Sequence, residues 1–68
     1  MKKHCDRLQP YAGQKGDYSA LDDGTSLFTI DPAGEDQLHE VGEDYVVIKS
    51  AEGLSILPLG LFTLQTQH

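Results

Sequence analysis

The stretch YVVIK at residues 45–49 decides the fold class of this chain. It opens with an aromatic residue and continues with three β-branched residues, a composition typical of a β-strand. Both faces of such a strand are apolar, so we expect it to lie inside a sheet with cover on each side. The turn-forming segment AEG at residues 51–53 and the segment LSIL at residues 54–57 then predict a β-hairpin.

On the N-terminal side of this hairpin, the pattern predicts short strands separated by turns. The segment TSLFTI at residues 25–30 predicts a strand, and residues 17–21 are a weaker strand candidate. Turns are predicted at residues 22–24 and 31–34, where Asp, Pro and Gly favour tight turns. Residues 37–41 form either a further short strand or part of a long loop.

On the C-terminal side, a proline and an alternating pattern predict a bend followed by a last strand. Pro58 cannot donate to a β-ladder, so it should end the second strand of the hairpin. Residues 59–60 predict a short turn of the 3₁₀ kind. Residues 62–65 alternate between apolar and polar, which places Phe62 and Leu64 on the inward face.

The length of 68 residues allows one domain. We expect residues 1–16 to form an N-terminal arm or a short helix, because the segment is polar and contains Pro10, Gly13 and Gly16. We expect residues 17–68 to form a mainly β domain, an antiparallel meander of roughly five or six short strands that closes as a small SH3-like or Sm-like barrel. Closure would remove the strand edges that an open sheet exposes.

The order of these segments resembles a known family. A hairpin at residues 18–30, a second hairpin at residues 45–56 and a turn with a last strand at residues 59–64 are similar to the Sm-like small barrels, and in particular to the bacterial Rof-type inhibitors of the transcription terminator Rho. The resemblance implies a barrel fold and an acidic inhibitor that blocks a basic site on a nucleic-acid-handling partner. Two features differ from that family: the N-terminal arm lacks its long helix, and the loop at residues 31–44 has no counterpart.

The charge balance narrows the classes of partner. Five Lys or Arg face eleven Asp or Glu, which gives a net charge of −6. Binding to nucleic acid or to an anionic membrane needs clustered cations, so we expect neither partner. A basic protein surface is a permitted partner. The acidic charge is explained more simply by the solubility of a small domain.

The cysteine count bears on compartment and stability. Cys5 is the only cysteine, which excludes a disulfide within the chain and fits a reducing compartment. Polar residues follow Lys2 and Lys3 where a signal peptide needs an apolar run, and the dense apolar stretch at residues 56–64 is too short to span a bilayer. We therefore expect a cytoplasmic protein. A small domain without disulfides gains most from self-association.

No group of residues predicts catalytic, cofactor-binding or metal-binding chemistry. Cys5 lies between His4 and Asp6, but neighbours on an arm do not hold the geometry of an activated thiol. The positions of Cys5 and the three histidines, His4, His39 and His68, match no compact metal-ligand spacing. The acidic and glycine residues match neither a calcium loop nor a phosphate loop. We therefore expect no cofactor and no enzyme.

The C-terminal segment carries more large apolar side chains than one narrow interior accommodates. The seven are Leu54, Ile56, Leu57, Leu59, Leu61, Phe62 and Leu64. Some belong to the core and others to a subunit interface, for which we predict Leu57, Leu59 and Leu61. The sequence thus favours a non-enzymatic protein-binding module that self-associates as a homo-oligomer. The alternatives are the acidic inhibitor that the resemblance implies and a small enzyme with its site between protomers.

Overall fold

The prediction of a mainly β chain is confirmed by the computed structural model, which describes residues 4–66. A short helix and a 3₁₀ turn precede six strands, and a second 3₁₀ turn separates the last two. The elements are α1 (His4–Leu8), a 3₁₀ turn (Gln9–Tyr11), β1 (Lys15–Ala20), β2 (Ser26–Ile30), β3 (Asp36–Val41), β4 (Tyr45–Ser50), β5 (Gly53–Pro58), a 3₁₀ turn (Leu59–Leu61) and β6 (Phe62–Thr66). No helix among these residues has the length and apolar character needed to cross a membrane.

The six strands form one mixed sheet in the order β5-β4-β3-β1-β2-β6. β6 pairs parallel with β2, and the other four pairs are antiparallel. The prediction of an antiparallel meander is therefore wrong, because β1 lies between β2 and β3 and the last strand runs parallel to its neighbour. Within residues 4–66 the sheet is not closed by a β5–β6 ladder.

Two glycines allow the connection from β2 to β3 to pass over the start of β1. Asp31 N–H donates to the Lys15 carbonyl (2.9 Å), which anchors the connection beside β1. A Cβ atom at Gly34 would lie 2.5 Å from the Gly16 Cα atom, so neither backbone has room for a side chain there. A meander prediction assumes that consecutive strands pair, and this close backbone approach breaks that assumption.

The short connection between β5 and β6 forces the sheet to curl. The two strands are at opposite edges, which in a flat sheet of six strands would lie about 24 Å apart at the usual strand spacing. The chain from Pro58 to Phe62 can span at most about 14 Å. Only a strongly curved sheet brings the two edges within that reach, and its concave face encloses the core.

The core occupies this concave face and is covered at one end by α1. The side chains buried there come from the helix, from four strands of the sheet and from the second 3₁₀ turn. They are Cys5, Leu8, Phe28, Leu38, Val41, Val46, Ile48, Leu59 and Phe62. Within the predicted N-terminal segment, His4–Leu8 therefore form a short helix packed into the same core as the strands, and β1 already begins at Lys15.

The strand predicted at residues 45–49 is confirmed as an interior strand with cover on both faces. Val46 and Ile48 lie in the core, whereas Val47 points to the convex face and is also buried.

The open question at residues 37–41 is settled in favour of a strand. A β-bulge between Leu38 and Glu40 shifts its register and turns both Leu38 and Val41 toward the core.

The predicted end of the hairpin at Pro58, the bend after it and the strand that follows are also confirmed. Pro58 is the last residue of β5, and the predicted bend forms a 3₁₀ turn. Phe62 is buried and Leu64 packs partly buried against the core, as the alternation indicates.

We predict that Ile48→Ala lowers the free energy of unfolding by about 2–5 kcal/mol, because it leaves a cavity in the core. Val47→Ala should cost clearly less, since Val47 lies outside the core cluster, on the convex face. The measurement is the midpoint of urea unfolding for both variants. Equal, small shifts would show that the concave face is not the core.

We predict that Gly16→Ala destabilises the fold, by about 1–3 kcal/mol as for other overpacked sites. A Cβ atom there would lie 2.6 Å from Phe28 Cε2 and would also contact the Thr29 carbonyl oxygen. The matched control is Gly60→Ala, where nothing lies within 4 Å of the added atom. Thermal melts should separate the two variants, and a Gly16→Ala protein as stable as Gly60→Ala would contradict the close approach.

Candidate functional site

The convex face of the β4–β5 hairpin carries exposed apolar side chains. Ile56 lies opposite Val47, and Leu54 lies opposite Lys49. Ile56 is 73% exposed and Leu54 is 60% exposed, the two highest values among the exposed large apolar residues of the described chain. We refer to Leu54, Ile56 and Val47 together as the β5 patch. Two large apolar side chains exposed on the same face of one strand form a contiguous patch, the kind of surface that marks interaction sites.

β5 is an edge strand without a charged residue. One side of Gly53–Pro58 pairs with β4, and no strand of the described residues pairs with its other side. Edge strands are commonly protected from other chains by charged side chains or by proline. In β5 the protection is limited to Pro58 at its end. The rest of the edge is open to a further strand.

The backbone hydrogen bonds fix which residues of β5 face the open edge. Gly42 N–H donates to the Tyr45 carbonyl (2.8 Å), so the polar backbone groups of Tyr45 and Val47 point toward β3. The backbone N–H and C=O groups of Val46 and Ile48, which alternate with Tyr45 and Val47, must then point toward β5. They form backbone hydrogen bonds with their partners in the register, Leu57 and Ser55.

The backbone groups of the alternate residues of β5 point away from β4. The N–H and C=O groups of Leu54 and Ile56 therefore point to the open edge. Pro58 shares their direction, which explains why a residue without an N–H group is tolerated there. The open edge thus offers two complete donor–acceptor pairs, each next to a large apolar side chain of the β5 patch.

The three predicted interface residues occupy different environments. Leu59 is buried in the core, and its N–H donates to the Asp44 carbonyl (3.0 Å). Leu57 packs partly buried against the core, whereas Leu61 is 47% exposed. Of the three, only Leu61 lies on the surface in a single copy of the chain.

Sequence reasoning did not single out Leu54 and Ile56 as the most exposed apolar residues of this segment, although a signal for their exposure was present. Since proline tends to face the open side of an edge strand, residues at even spacing from Pro58 share its outward backbone direction. The same spacing places Leu54 and Ile56 on the face opposite to the inward-facing Leu57. Counting back from Pro58 would therefore have selected them.

A tyrosine–glutamate pair borders the β5 patch. Tyr45 Oη donates to Glu40 Oε2 over 2.6 Å, and Glu40 lies opposite Val47 in the neighbouring strand. The hydrogen bond to the carboxylate, and secondly the negative charge of Glu40, raise the pKa of Tyr45 above its ordinary value. The pair gives the otherwise apolar patch one polar border.

A shallow hollow of about 290 Å³ lies on the other side of the patch, between β1, β3 and β4. Lys15 and Lys49 flank Gln37 in one row across these strands. Glu35 and Asp36 also line the hollow. The two lysines therefore share their surroundings with carboxylates, so the hollow is not a purely cationic site for an anion.

The residues considered for catalysis or metal binding lie partly in α1, partly on β3 and partly outside the described residues. The Cys5 thiol is buried and donates to Asp6 Oδ1 over 4.0 Å, whereas the exposed His4 ring donates through Nε2 to the Phe62 carbonyl (3.2 Å). Within residues 4–66 no three His, Cys, Asp or Glu side chains come close enough to hold a metal ion. His39 is exposed on β3, and His68 lies outside the described residues.

Three carboxylates are used within turns and strand ends. Asp23 Oδ1 accepts from the Thr25 hydroxyl and from the Thr25 N–H (3.0 Å), and these hydrogen bonds, the hydroxyl first, lower the pKa of Asp23. Asp31 Oδ1 accepts from Ala33 N–H, and Asp36 Oδ2 accepts from Tyr18 N–H, both over 3.0 Å. These contacts are typical of Asp in turns and support the simpler interpretation of the acidic residues.

The chain matches no protein-family model, no curated protein and no solved structure. Its candidate site is therefore defined by geometry: an open, uncharged strand edge beside two exposed apolar side chains.

We predict that Tyr45 ionises above its ordinary pKa value of 10.0 and that Tyr45→Phe removes this titration. Glu40→Gln should bring the pKa back toward 10.0, whereas the control Glu43→Gln should not. The raised pKa favours the neutral phenol, so its stabilising effect is present below pH 10.0 and is lost as the pH rises through the folded-state pKa. Ultraviolet titration of phenolate absorbance measures the pKa in the wild type and in each variant. An unchanged titration in Glu40→Gln would contradict the hydrogen bond.

Proposed function

We propose that this chain is a non-enzymatic protein-interaction module that self-associates through the β5 patch. The observation that carries the proposal is the exposure of Leu54 and Ile56, 60% and 73%, on an edge strand without charge. An apolar, hydrogen-bond-competent edge is suited to binding another polypeptide and lacks the convergent polar groups that substrate sites need.

Burial of the patch offers a meaningful gain in free energy. Covering a Leu or Ile side chain fully contributes roughly 1.5–3 kcal/mol, so covering the exposed parts of Leu54 and Ile56 contributes about 1–2 kcal/mol each. Two copies that cover each other gain this twice. A domain of 68 residues has little stability in reserve, and a gain of this size is useful to it.

The proposal includes a barrel-like shape of the Sm-like kind, left open at one seam. It is supported by the connection of only three residues, Leu59–Leu61, between the two edge strands. It is also supported by Leu59 and Phe62, which pack at that seam into the same core. On this view the open seam leaves the β5 edge free for a partner.

The acidic-inhibitor alternative has less support. Exposed carboxylates such as Asp22, Glu43 and Glu52 are dispersed over separate turns, and other acidic residues already accept hydrogen bonds within the fold. We therefore place self-association before the binding of a basic protein surface. A cationic partner would be favoured only if the wild-type chain proved monomeric.

We predict that the wild-type protein shows a mass above that of the monomer at high concentration in sedimentation equilibrium. Ile56→Asp should weaken the association at least tenfold, since it places a charge in the apolar contact. The matched control Gln65→Asp adds the same charge at an exposed position on β6, the other edge strand, and should associate as the wild type does.

Leu61→Asp separates the two apolar regions. A loss of association in Leu61→Asp with none in Ile56→Asp would move the interface from the β5 patch to the bend. A wild-type protein that stays monomeric at every concentration would overturn the proposed function.

A further inference from the structure

We propose that the partner of β5 is β5 of a second copy, paired antiparallel about a two-fold axis that passes beside Ser55. The inference rests on the proposed function and specifies its geometry. It joins two six-stranded sheets into one continuous sheet. Two-fold pairing uses the same edge on both copies and is the commonest symmetry of homodimers.

The register follows from the backbone groups that are available. Leu54 and Ile56 present their N–H and C=O groups to the open edge, so they must occupy hydrogen-bonded positions of the new ladder. In this register Leu54 lies opposite Ile56 of the second copy, and the two-fold axis places Ile56 opposite Leu54 of the second copy. Each of these two pairs exchanges two backbone hydrogen bonds. Four backbone hydrogen bonds result.

The two neighbouring symmetric registers are poorer. Centring the ladder on Ile56 places Leu54 opposite Pro58 of the second copy, which has no N–H group to donate. Centring it on Leu54 places Ile56 opposite Glu52, which lies in the hairpin turn outside β5. The register centred on Ser55 is the one in which the outward donors and acceptors of both Leu54 and Ile56 find partners within the strand.

The side chains fit this register on both faces. On the convex face, Ile56 lies between Val47 of its own copy and Leu54 of the second, so the two β5 patches merge. On the concave face, Leu57 lies opposite Gly53 of the second copy, which leaves space for it. The contact strand carries no charge, so two chains of net charge −6 meet without a like-charge pair in the ladder.

The other edge of the sheet is less suited to the same role. His4 donates to the Phe62 carbonyl at the start of β6, and α1 lies beside this strand. The residues of β6 that are exposed are polar: Thr63, Gln65 and Thr66. This edge has no pair of exposed apolar side chains comparable with the β5 patch.

The test is a cysteine at the proposed axis. Residues facing each other at a non-hydrogen-bonded antiparallel position have Cα atoms about 4.5 Å apart, within the range that a disulfide spans. Ser55→Cys, exposed at that position, should form a covalent dimer in oxidised glutathione, which accepts the two electrons and two protons of the thiols and is released as two molecules of glutathione. Non-reducing gels read the result.

Two controls accompany the variant. The wild type carries only the buried Cys5 and should not cross-link. Thr63→Cys places an exposed thiol on β6 and should not cross-link either, alone or when mixed with Ser55→Cys. Thermal melts of the reduced variants confirm that they fold as the wild type does.

The outcomes separate the two proposals. Cross-linking of Ser55→Cys alone supports the two-fold register. A dimer in sedimentation whose Ser55→Cys variant does not cross-link, or cross-links only with Thr63→Cys, overturns the register and leaves self-association in place. A monomer at every concentration overturns both.

Discussion

The fold depends on one constraint: three residues, Leu59–Leu61, connect strands that lie at opposite edges of the sheet. The connection is too short for a flat sheet of six strands, so the sheet must curve until β5 and β6 approach each other. Curvature gives the sheet one enclosed face, and Leu59 at the bend is buried in it. The short helix α1 covers one end of that enclosure with Cys5 and Leu8.

The same constraint explains why apolar side chains remain outside. The concave face is already occupied by Leu57, Leu59, Phe62 and Leu64 from the C-terminal segment. Alternation along β5 then leaves Leu54 and Ile56 on the convex face, where the described chain does not cover them. Because β5 is also an edge, the uncovered side chains and the unpaired backbone groups lie together. A β-strand is a partner that can cover these side chains and pair with these backbone groups in a single contact.

Local patterns in the sequence predicted the strands well and their pairing poorly. The β-branched run at residues 45–49, Pro58 and the alternation after Phe62 act through local backbone preferences, so they were readable. The position of β1 between β2 and β3 depends on the close approach of Gly16 and Gly34, which are distant in sequence. The surplus of apolar residues correctly indicated that some lie outside the core. The choice of Leu57, Leu59 and Leu61 left out the more exposed Leu54 and Ile56. It used proximity to the bend as the criterion and did not use the alternation counted back from Pro58.

Amide hydrogen exchange at low and high protein concentration tests the central claim most directly. In a single copy the N–H groups of Leu54 and Ile56 face solvent, whereas those of Ser55 and Leu57 are bonded to β4. If β5 pairs with a second copy, exchange at Leu54 and Ile56 should slow as the concentration rises, with little change at Ser55 and Leu57. Exchange at Leu54 and Ile56 that stays fast at every concentration would contradict the account.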